Sequence, residues 1–180
     1  MSVNLSGRQF NDPDLLPFIT RVLKDTALPR GALKLEITES VMMENIESAA
    51  ALLQKVRAHH IRTCIDDFGT GYSSLSYIQQ LPIDYLKIDQ SFIARIGDDA
   101  KTVEILHTII SLAHTLKTEV IAEGVETAEQ VARLKAWKCQ YGQGYYFAKP
   151  LMVEEATKFL AKDHRCRMRK RGDGGVLGDR

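Results

Sequence analysis

Two adjacent carboxylates, Asp66 and Asp67, directly follow a short apolar segment at residues 63–65 that predicts a buried strand. Neighbouring side chains on a regular strand point to opposite faces, but at a strand end the second can turn inward. Both carboxylates could then face one hard cation, or two cations close together. Gly69 and Gly71 allow the following loop to bend over a ligand. Because an Asp pair after a strand is often only a turn or a helix cap, that alternative stays open.

Further polar side chains occur at the ends of the other predicted strands, and they are Asn4, Glu36, Glu39, Lys87, Asp89, Glu123, Glu126 and Gln143. The carboxyl ends of parallel strands are where α/β folds gather their sites. One amide and several carboxylates form an all-oxygen ligand set, which favours Mg²⁺ or Mn²⁺ over zinc. Each residue alone could be a cap or a surface residue. Their recurrence at one edge favours a site, as does the position of Glu36 inside an apolar strand, where an unpartnered carboxylate is costly.

Six strand-type segments alternate with amphipathic helix-type segments, and the strands are predicted at residues 2–5, 33–37, 63–65, 85–88, 120–122 and 144–147. The run from Thr127 to Gln130 is a capping box that predicts a helix extending to about Trp137. Alternation of this kind predicts a parallel sheet covered by helices. Such a sheet either stays open or closes into an eight-unit barrel of about 250 residues, and six units fall short of closure.

Composition indicates one domain at residues 1–161 and a basic tail at 162–180 that we expect to be disordered. The net charge is +1, but the tail holds seven of the Lys and Arg residues and three of the Asp residues, so the rest carries −3. The tail could contact nucleic acid or anionic lipid, but we favour a solvated tail without a role and no DNA partner. The sequence shows neither an apolar run of membrane-spanning length nor a signal peptide. Its three cysteines have no metal-ligand spacing and suit a reducing, cytoplasmic compartment.

Six motifs, covering about residues 2–155, resemble in the same order those of the EAL domain family, the bacterial cyclic di-GMP phosphodiesterases. They are Val-Asn-Leu-Ser from residue 3, Leu-Glu-Ile-Thr-Glu-Ser from 35, Asp-Asp-Phe-Gly-Thr-Gly-Tyr-Ser-Ser-Leu from 66, Leu-Lys-Ile-Asp from 86, Ala-Glu-Gly-Val-Glu-Thr from 122 and Gln-Gly-Tyr from 143. The resemblance implies a modified (β/α)8 TIM-type barrel with one antiparallel strand. It also implies two-metal hydrolysis of one phosphodiester bond of cyclic di-GMP, which yields the linear product.

The resemblance also implies the metal ligands. Asp66 would bridge two Mg²⁺ or Mn²⁺ ions. Asp67 and Glu123 would complete one metal site, and Asn4 and Glu36 would serve the other.

Further roles follow from the same resemblance. Lys87 would contact and help to activate the attacking water. Glu39 would anchor the loop at residues 68–74, which influences metal binding and dimerisation. Three residues would lie at the substrate rim: Asp89, Glu126 and Gln143.

In the family, two further strands precede the Val-Asn-Leu-Ser segment, with which this chain begins. Those strands carry the Glu-Ala-Leu signature, whose Glu serves the same metal as Asn4 and Glu36. We therefore expect an incomplete barrel of about the last six β/α units, one strong metal site and one weakened site. The alternatives are a catalytically inactive module that binds cyclic di-GMP or a protein, and an unstable fragment. A homodimer and an upstream sensory or GGDEF-type domain are possible partners.

Overall fold

The computed structural model describes residues 1–70, 78–97 and 99–161 of the chain. In these residues, the strands are β1 Ser2–Leu5, β2 Lys34–Thr38, β3 Arg62–Phe68, β4 Tyr85–Ile88, β5 Glu119–Glu123 and β6 Tyr141–Gln143. The helices are α1 Gly7–Phe10, α2 Leu15–Thr26, α3 Glu39–Glu44, α4 Ile46–Ala58, α5 Gln90–Ala94, α6 Ala100–Thr115, α7 Ala128–Ala136 and α8 Val153–Ala161. The loop residues from Gly71 to Leu75 and the tail at 162–180 lie outside the described residues.

The six strands form one sheet in the order β1-β2-β3-β4-β5-β6, and every neighbouring pair is parallel. Within the described residues β1 and β6 are the two edges, so the sheet is not closed. This arrangement confirms the predicted α/β class and the open series of six β/α units. The antiparallel strand that the resemblance implies is not among the strands described.

Alternation along the strands separates an apolar face from a polar one. On β2, Leu35 and Ile37 are each 2% exposed and belong to the hydrophobic core, whereas Glu36 between them points to the opposite face. On β4, Leu86 and Ile88 belong to the same core and flank Lys87. The helices complete the core with residues such as Leu53, Ile110 and Leu134, each fully buried. We call the apolar face, which packs against the helices, the outer face of the sheet and the polar face the inner face. Burial of the outer face fixes the strand orientation and therefore directs the charged side chains to the inner face.

The predicted start of α7 is confirmed. The Thr127 hydroxyl accepts the backbone N–H of Gln130, and the Gln130 side chain accepts the N–H of Thr127, which together form the capping box. The helix ends at Ala136, one residue before its C-cap Trp137. None of the helices in the described part of the chain has the length and apolar composition needed to cross a membrane.

The prediction of a strand at residues 144–147 is wrong. The sixth strand is Tyr141–Gln143, and the segment after it turns, with the Phe147 N–H donating to the Gly144 carbonyl. Gly144 has φ +155°, and a Cβ there would lie 2.2 Å from the Val125 carbonyl oxygen. The aromatic composition of 145–147 favoured a strand. In the structure this segment instead hydrogen-bonds to the loop after β5, where the Tyr146 N–H donates to the Val125 carbonyl.

Candidate functional site

The two adjacent aspartates lie in a β-bulge at the end of β3. Ile65 pairs with Leu86, but the next pair is Phe68 with Ile88, so β3 carries one extra residue opposite Lys87. Asp67 has φ +54°, a left-handed conformation that is uncommon for residues other than glycine. A bulge of this kind re-aims side chains and is common beside functional sites. Here it lets Asp66 and Asp67 face the same region, instead of the opposite faces of a regular strand.

Asp66, Asp67 and Glu123 form a cluster of carboxylates in which one oxygen of each lies within 4.8 Å of the others. Asp66 and Asp67 come from β3, whereas Glu123 is the last residue of β5, on the other side of β4. Three convergent carboxylates supply oxygen ligands of the kind that Mg²⁺ and Mn²⁺ accept. The residues present therefore fit a divalent cation. We call these three residues the carboxylate cluster.

Lys87 lies among the acidic side chains. Its Nζ is 3.2 Å from Glu36 Oε2, 3.2 Å from Asp66 Oδ1 and 3.2 Å from Glu123 Oε1, and its side chain is 8% exposed. Burial alone would lower the pKa of Lys87, but the charges of Glu36, Asp66 and Glu123 outweigh it and raise that pKa above its usual value. Lys87 is thus a buried ammonium that offsets part of the negative charge of three carboxylates.

Glu36 is 8% exposed and lies between two lysines. Lys34 Nζ is 3.5 Å from Glu36 Oε1, and Lys87 Nζ is 3.2 Å from Oε2. Burial would raise the pKa of Glu36, but a hydrogen bond from Ser2 and the charges of the two lysines together lower it. Sequence reasoning missed Lys34, although its position two residues before Glu36 on one strand was a signal that both face the same side.

The net pKa shift has the opposite direction for the other two carboxylates. Burial is the largest cause of the raised pKa of Glu123, with Lys87 opposing and the charges of Asp66 and Asp67 adding to the effect. Burial is also the largest cause of the raised pKa of Asp67, to which the charge of Asp66 contributes. A cation between these groups would offset both the burial cost and the repulsion.

Asn4 is placed next to Glu36 but not in the carboxylate cluster. Asn4 lies on the edge strand β1, in register with Glu36 on β2, and its side chain is exposed. Adjacent residues in register on parallel strands point to the same side of a sheet. The structure therefore groups the predicted ligands into the carboxylate cluster and a neighbouring Asn4–Glu36 pair, with Lys87 contacting both groups through Glu36 and Asp66.

Glu39 holds the beginning of the loop after β3. It lies in the first turn of α3, is 4% exposed, and its Oε2 accepts the backbone N–H of Gly69 at 3.0 Å. Gly69 has φ +96°, and a Cβ there would lie 2.9 Å from the Phe92 ring. Glycine is therefore required where α3, the loop and α5 meet. The loop from residue 71 to 74, which Glu39 is also predicted to anchor, is not among the described residues.

Two of the three predicted rim residues lie at strand ends, and the third lies in a loop. Asp89 follows β4 and caps α5, where its Oδ1 accepts the N–H of Ser91 at 2.9 Å. Gln143 ends β6, is exposed and is in register with Glu123. Glu126 is exposed in the loop before α7, where its backbone N–H donates to Gln130 Oε1. Their contact with a substrate stays a prediction.

A family profile described as the EAL domain matches residues 1–150. The chain belongs to the EAL domain family. It is 39% identical to the cyclic di-GMP phosphodiesterase NbdA of Pseudomonas aeruginosa, over 89% of this chain and 20% of NbdA.

Solved structures also support membership of the EAL domain family. The EAL domain of Mycobacterium smegmatis DcpA superposes with a TM-score of 0.84 at 37% identity, covering 89% of this chain and 72% of that one. A PaMucR phosphodiesterase in complex with c-di-GMP superposes with a TM-score of 0.83 at 37% identity, covering 86% of this chain and 63% of that chain. The present chain therefore spans about a fifth of the full length of NbdA, and most but not all of the length of these two structures.

Proposed function

We propose that this chain is part of a cyclic di-GMP phosphodiesterase domain that hydrolyses one phosphodiester bond and releases linear diguanylate. The observation that carries the proposal is the convergence of Asp66, Asp67 and Glu123 around Lys87 at the carboxyl edge of the sheet. Family membership and the phosphodiesterase names of NbdA and PaMucR support the same reaction and substrate.

The metal ligands are proposed from the resemblance to the family. Asp67 and Glu123 would serve one cation, Asn4 and Glu36 would serve a second, and Asp66 would contribute to both. The convergence of Asp66, Asp67 and Glu123 supports the first of these sites. Mg²⁺ or Mn²⁺ held in this way would supply a nucleophile at neutral pH and stabilise the charge on the attacking and leaving oxygens. The Asn4–Glu36 pair offers fewer carboxylates than the carboxylate cluster, so we expect its cation affinity to be lower.

The protein's own groups then have distinct tasks. Lys87 holds a proton on Nζ beside three carboxylates and can direct that N–H at a water or at a phosphate oxygen near Asp66. Glu39 fixes the backbone at Gly69, and through it the start of the loop after β3. Asp89, Glu126 and Gln143 are proposed to contact the nucleotide at the rim of the site.

The proposal is tested by incubating the purified 180-residue chain with cyclic di-GMP in Mg²⁺ and in Mn²⁺ and measuring the linear product by chromatography. The variant Asp66→Asn keeps the size of the side chain and removes its charge, and circular dichroism verifies that both proteins are folded. Product formed by the wild-type chain and lost in Asp66→Asn is the expected result. A folded wild-type chain that yields no product in either metal would contradict the proposal for this chain.

A catalytically inactive module that binds cyclic di-GMP or a protein is the second candidate. The observation that favours it is the open sheet, because within the described residues β1, which carries Asn4, is an edge strand. Binding of a fluorescent cyclic di-GMP without turnover, at equal affinity in wild type and Asp66→Asn, would select this candidate.

The wider setting is also proposed. Because NbdA is about five times as long as the matched segment, a GGDEF-type or sensory domain on the same protein is compatible with our prediction. We propose a cytoplasmic location from the cysteine usage, since Cys64 and Cys139 are buried free thiols. Homodimerisation stays a prediction.

A further inference from the structure

Lys34 lies on the same face of the sheet as Glu36, and the proposed reaction assigns it no task. It lies two residues before Glu36 on β2, and its ammonium is 3.5 Å from Glu36 Oε1. The other oxygen of the same carboxylate, Oε2, is 3.2 Å from the Lys87 ammonium. Each oxygen of Glu36 therefore has an ammonium of its own.

The two lysines differ in where they lie. Lys87 also contacts Asp66 and Glu123, so its ammonium lies beside the carboxylate cluster. Lys34 is nearer the amino ends of the strands, in register with Ser2 and Arg62, and its Nζ lies 4.9 Å from the centroid of the Tyr85 ring. A cation over an aromatic face is attracted by the ring, which helps to hold the ammonium below Glu36. The Lys34 side chain is 21% exposed, so this charge is only partly screened by water.

We propose that Lys34 is a positioning residue that occupies one oxygen of Glu36, stabilises the cation-free protein and weakens divalent-cation binding at Glu36. The inference rests on the proposed function, in which Glu36 is a metal ligand. A fixed positive charge beside a carboxylate substitutes for a bound cation and repels an arriving one. Lys34 therefore raises the stability of the cation-free protein and lowers its affinity for a divalent cation.

The opposite effects of Lys34 on stability and on cation binding distinguish the proposal from a purely structural role. If Lys34 only maintained the fold, its replacement would weaken both stability and cation binding. If it competes with a cation, its neutral replacement lowers stability in chelator and strengthens cation binding. A charge-retaining replacement by arginine restores both properties.

The test is a calorimetric Mn²⁺ titration of the full chain as wild type, Lys34→Met, Lys34→Gln and Lys34→Arg. Lys55→Met, which removes an exposed charge on α4, is the matched control. We expect Lys34→Met and Lys34→Gln to bind Mn²⁺ about tenfold more tightly at the weaker site. We expect Lys34→Arg and Lys55→Met to stay within about twofold of wild type. Adding Glu36→Gln to Lys34→Met should abolish the gain, because the two effects share one carboxylate.

Thermal unfolding supplies the second readout. In EDTA, Lys34→Met should unfold at a lower temperature than wild type, and saturating Mn²⁺ should stabilise the variant more than it stabilises wild type. Two neutral variants are used so that the failure of one to fold leaves the other informative.

Several results overturn the inference. They are unchanged or weaker Mn²⁺ binding in the folded neutral variants, an equal gain in Lys34→Arg, a gain that survives Glu36→Gln, and the absence of Mn²⁺ binding in every protein. The titration and the unfolding experiment do not measure hydrolysis, so the proposal for Lys34 and the proposed phosphodiesterase activity can fail separately. A gain in Mn²⁺ affinity by a chain that never hydrolyses cyclic di-GMP would support Lys34 as a positioning residue and contradict the proposed activity.

Discussion

Lys87 shows at the scale of single residues how a buried charge can be stable. A lysine that is 8% exposed would lose its proton readily without partners, but three carboxylates within 3.2 Å stabilise the ammonium. The carboxylates depend equally on Lys87, because without a cation they would repel one another. The residue-scale predictions therefore concern the loss of one member of this group.

Lys87→Met should destabilise the protein in EDTA by about 3 kcal/mol, because it leaves buried carboxylates without their counter-charge. Saturating Mg²⁺ should recover part of this loss, since a bound cation can replace the ammonium. Urea unfolding followed by circular dichroism measures both quantities, with Lys55→Met as the control for removal of an exposed charge. A Lys87→Met protein as stable as wild type in EDTA would contradict this account of the buried ammonium.

The pH dependence of stability should report on Glu36. Its folded-state pKa is lowered from the ordinary 4.5, so its charge stabilises the protein above about pH 4.5 and this contribution is lost as the pH falls through the folded-state value. Glu36→Gln resembles the protonated state at every pH. The difference in unfolding free energy between wild type and Glu36→Gln should therefore shrink as the pH falls from 5 towards the lowered pKa, measured by urea titration in EDTA. Parallel curves over that range would count against the assigned direction.

At the scale of elements, the ends of β5 and β6 determine where the predicted ligands and rim residues lie. The Val125 N–H donates to the Gln143 carbonyl and the Tyr146 N–H to the Val125 carbonyl, each at 3.0 Å. These bonds join the two strand ends just beyond Glu123. Gly144 permits this approach because glycine has no Cβ, and a Cβ at this position would collide with the backbone of Val125.

Gly144→Ala should therefore cost about 3 kcal/mol or more of stability, since a methyl group would lie 2.2 Å from the Val125 carbonyl and the backbone would have to move. Gly31→Ala is the matched control. Gly31 also has a positive φ, +74°, but the nearest neighbouring atom to a Cβ there is 3.8 Å away. The control therefore measures backbone strain alone, about 1 kcal/mol. Urea unfolding of both variants decides, and equal losses would show that the close approach is unimportant.

At the scale of the whole molecule, the open sheet leaves apolar surface on the outer side of β1. A groove of about 460 Å³ lies between β1 and α2, and its lining includes Val3, Phe18 and Val22. Phe18 is 55% exposed and Val22 is 38% exposed. Exposed apolar surface next to an unpaired strand edge promotes association and binds apolar dyes.

We expect the native chain to enhance the fluorescence of the dye ANS, and the double variant Phe18→Ser, Val22→Ser to reduce that enhancement. Neither side chain belongs to the buried core, so the double variant should keep its fold. Ile105→Ser, which replaces an aliphatic residue 42% exposed on α6, is the control for loss of an isolated apolar side chain. Unchanged dye fluorescence in the double variant would place the apolar surface elsewhere.

Local patterns in the sequence determined the elements and the nature of the site. The strands at residues 2–5 and 85–88 place an aliphatic residue at every second position, and the same alternation within β2 and β4 puts Glu36 and Lys87 on the face opposite the core. Such patterns depend only on neighbouring residues, because burial of one face dictates which side chains turn away from it. The motif order likewise indicates the EAL family, and the family match confirms it.

Only the tertiary structure decided how the strands are placed against one another. The bulge that turns Asp67 beside Asp66 exists because β3 pairs with β4 in two registers, which no local pattern specifies. The same holds for the sixth strand, because residues 144–147 do not pair with β5 and instead contact the loop that follows β5. The three partners of Lys87 lie on strands other than its own, with Glu36 on β2, Asp66 on β3 and Glu123 on β5. Their distances depend on the register and twist of the assembled sheet, which the composition of each strand alone does not determine.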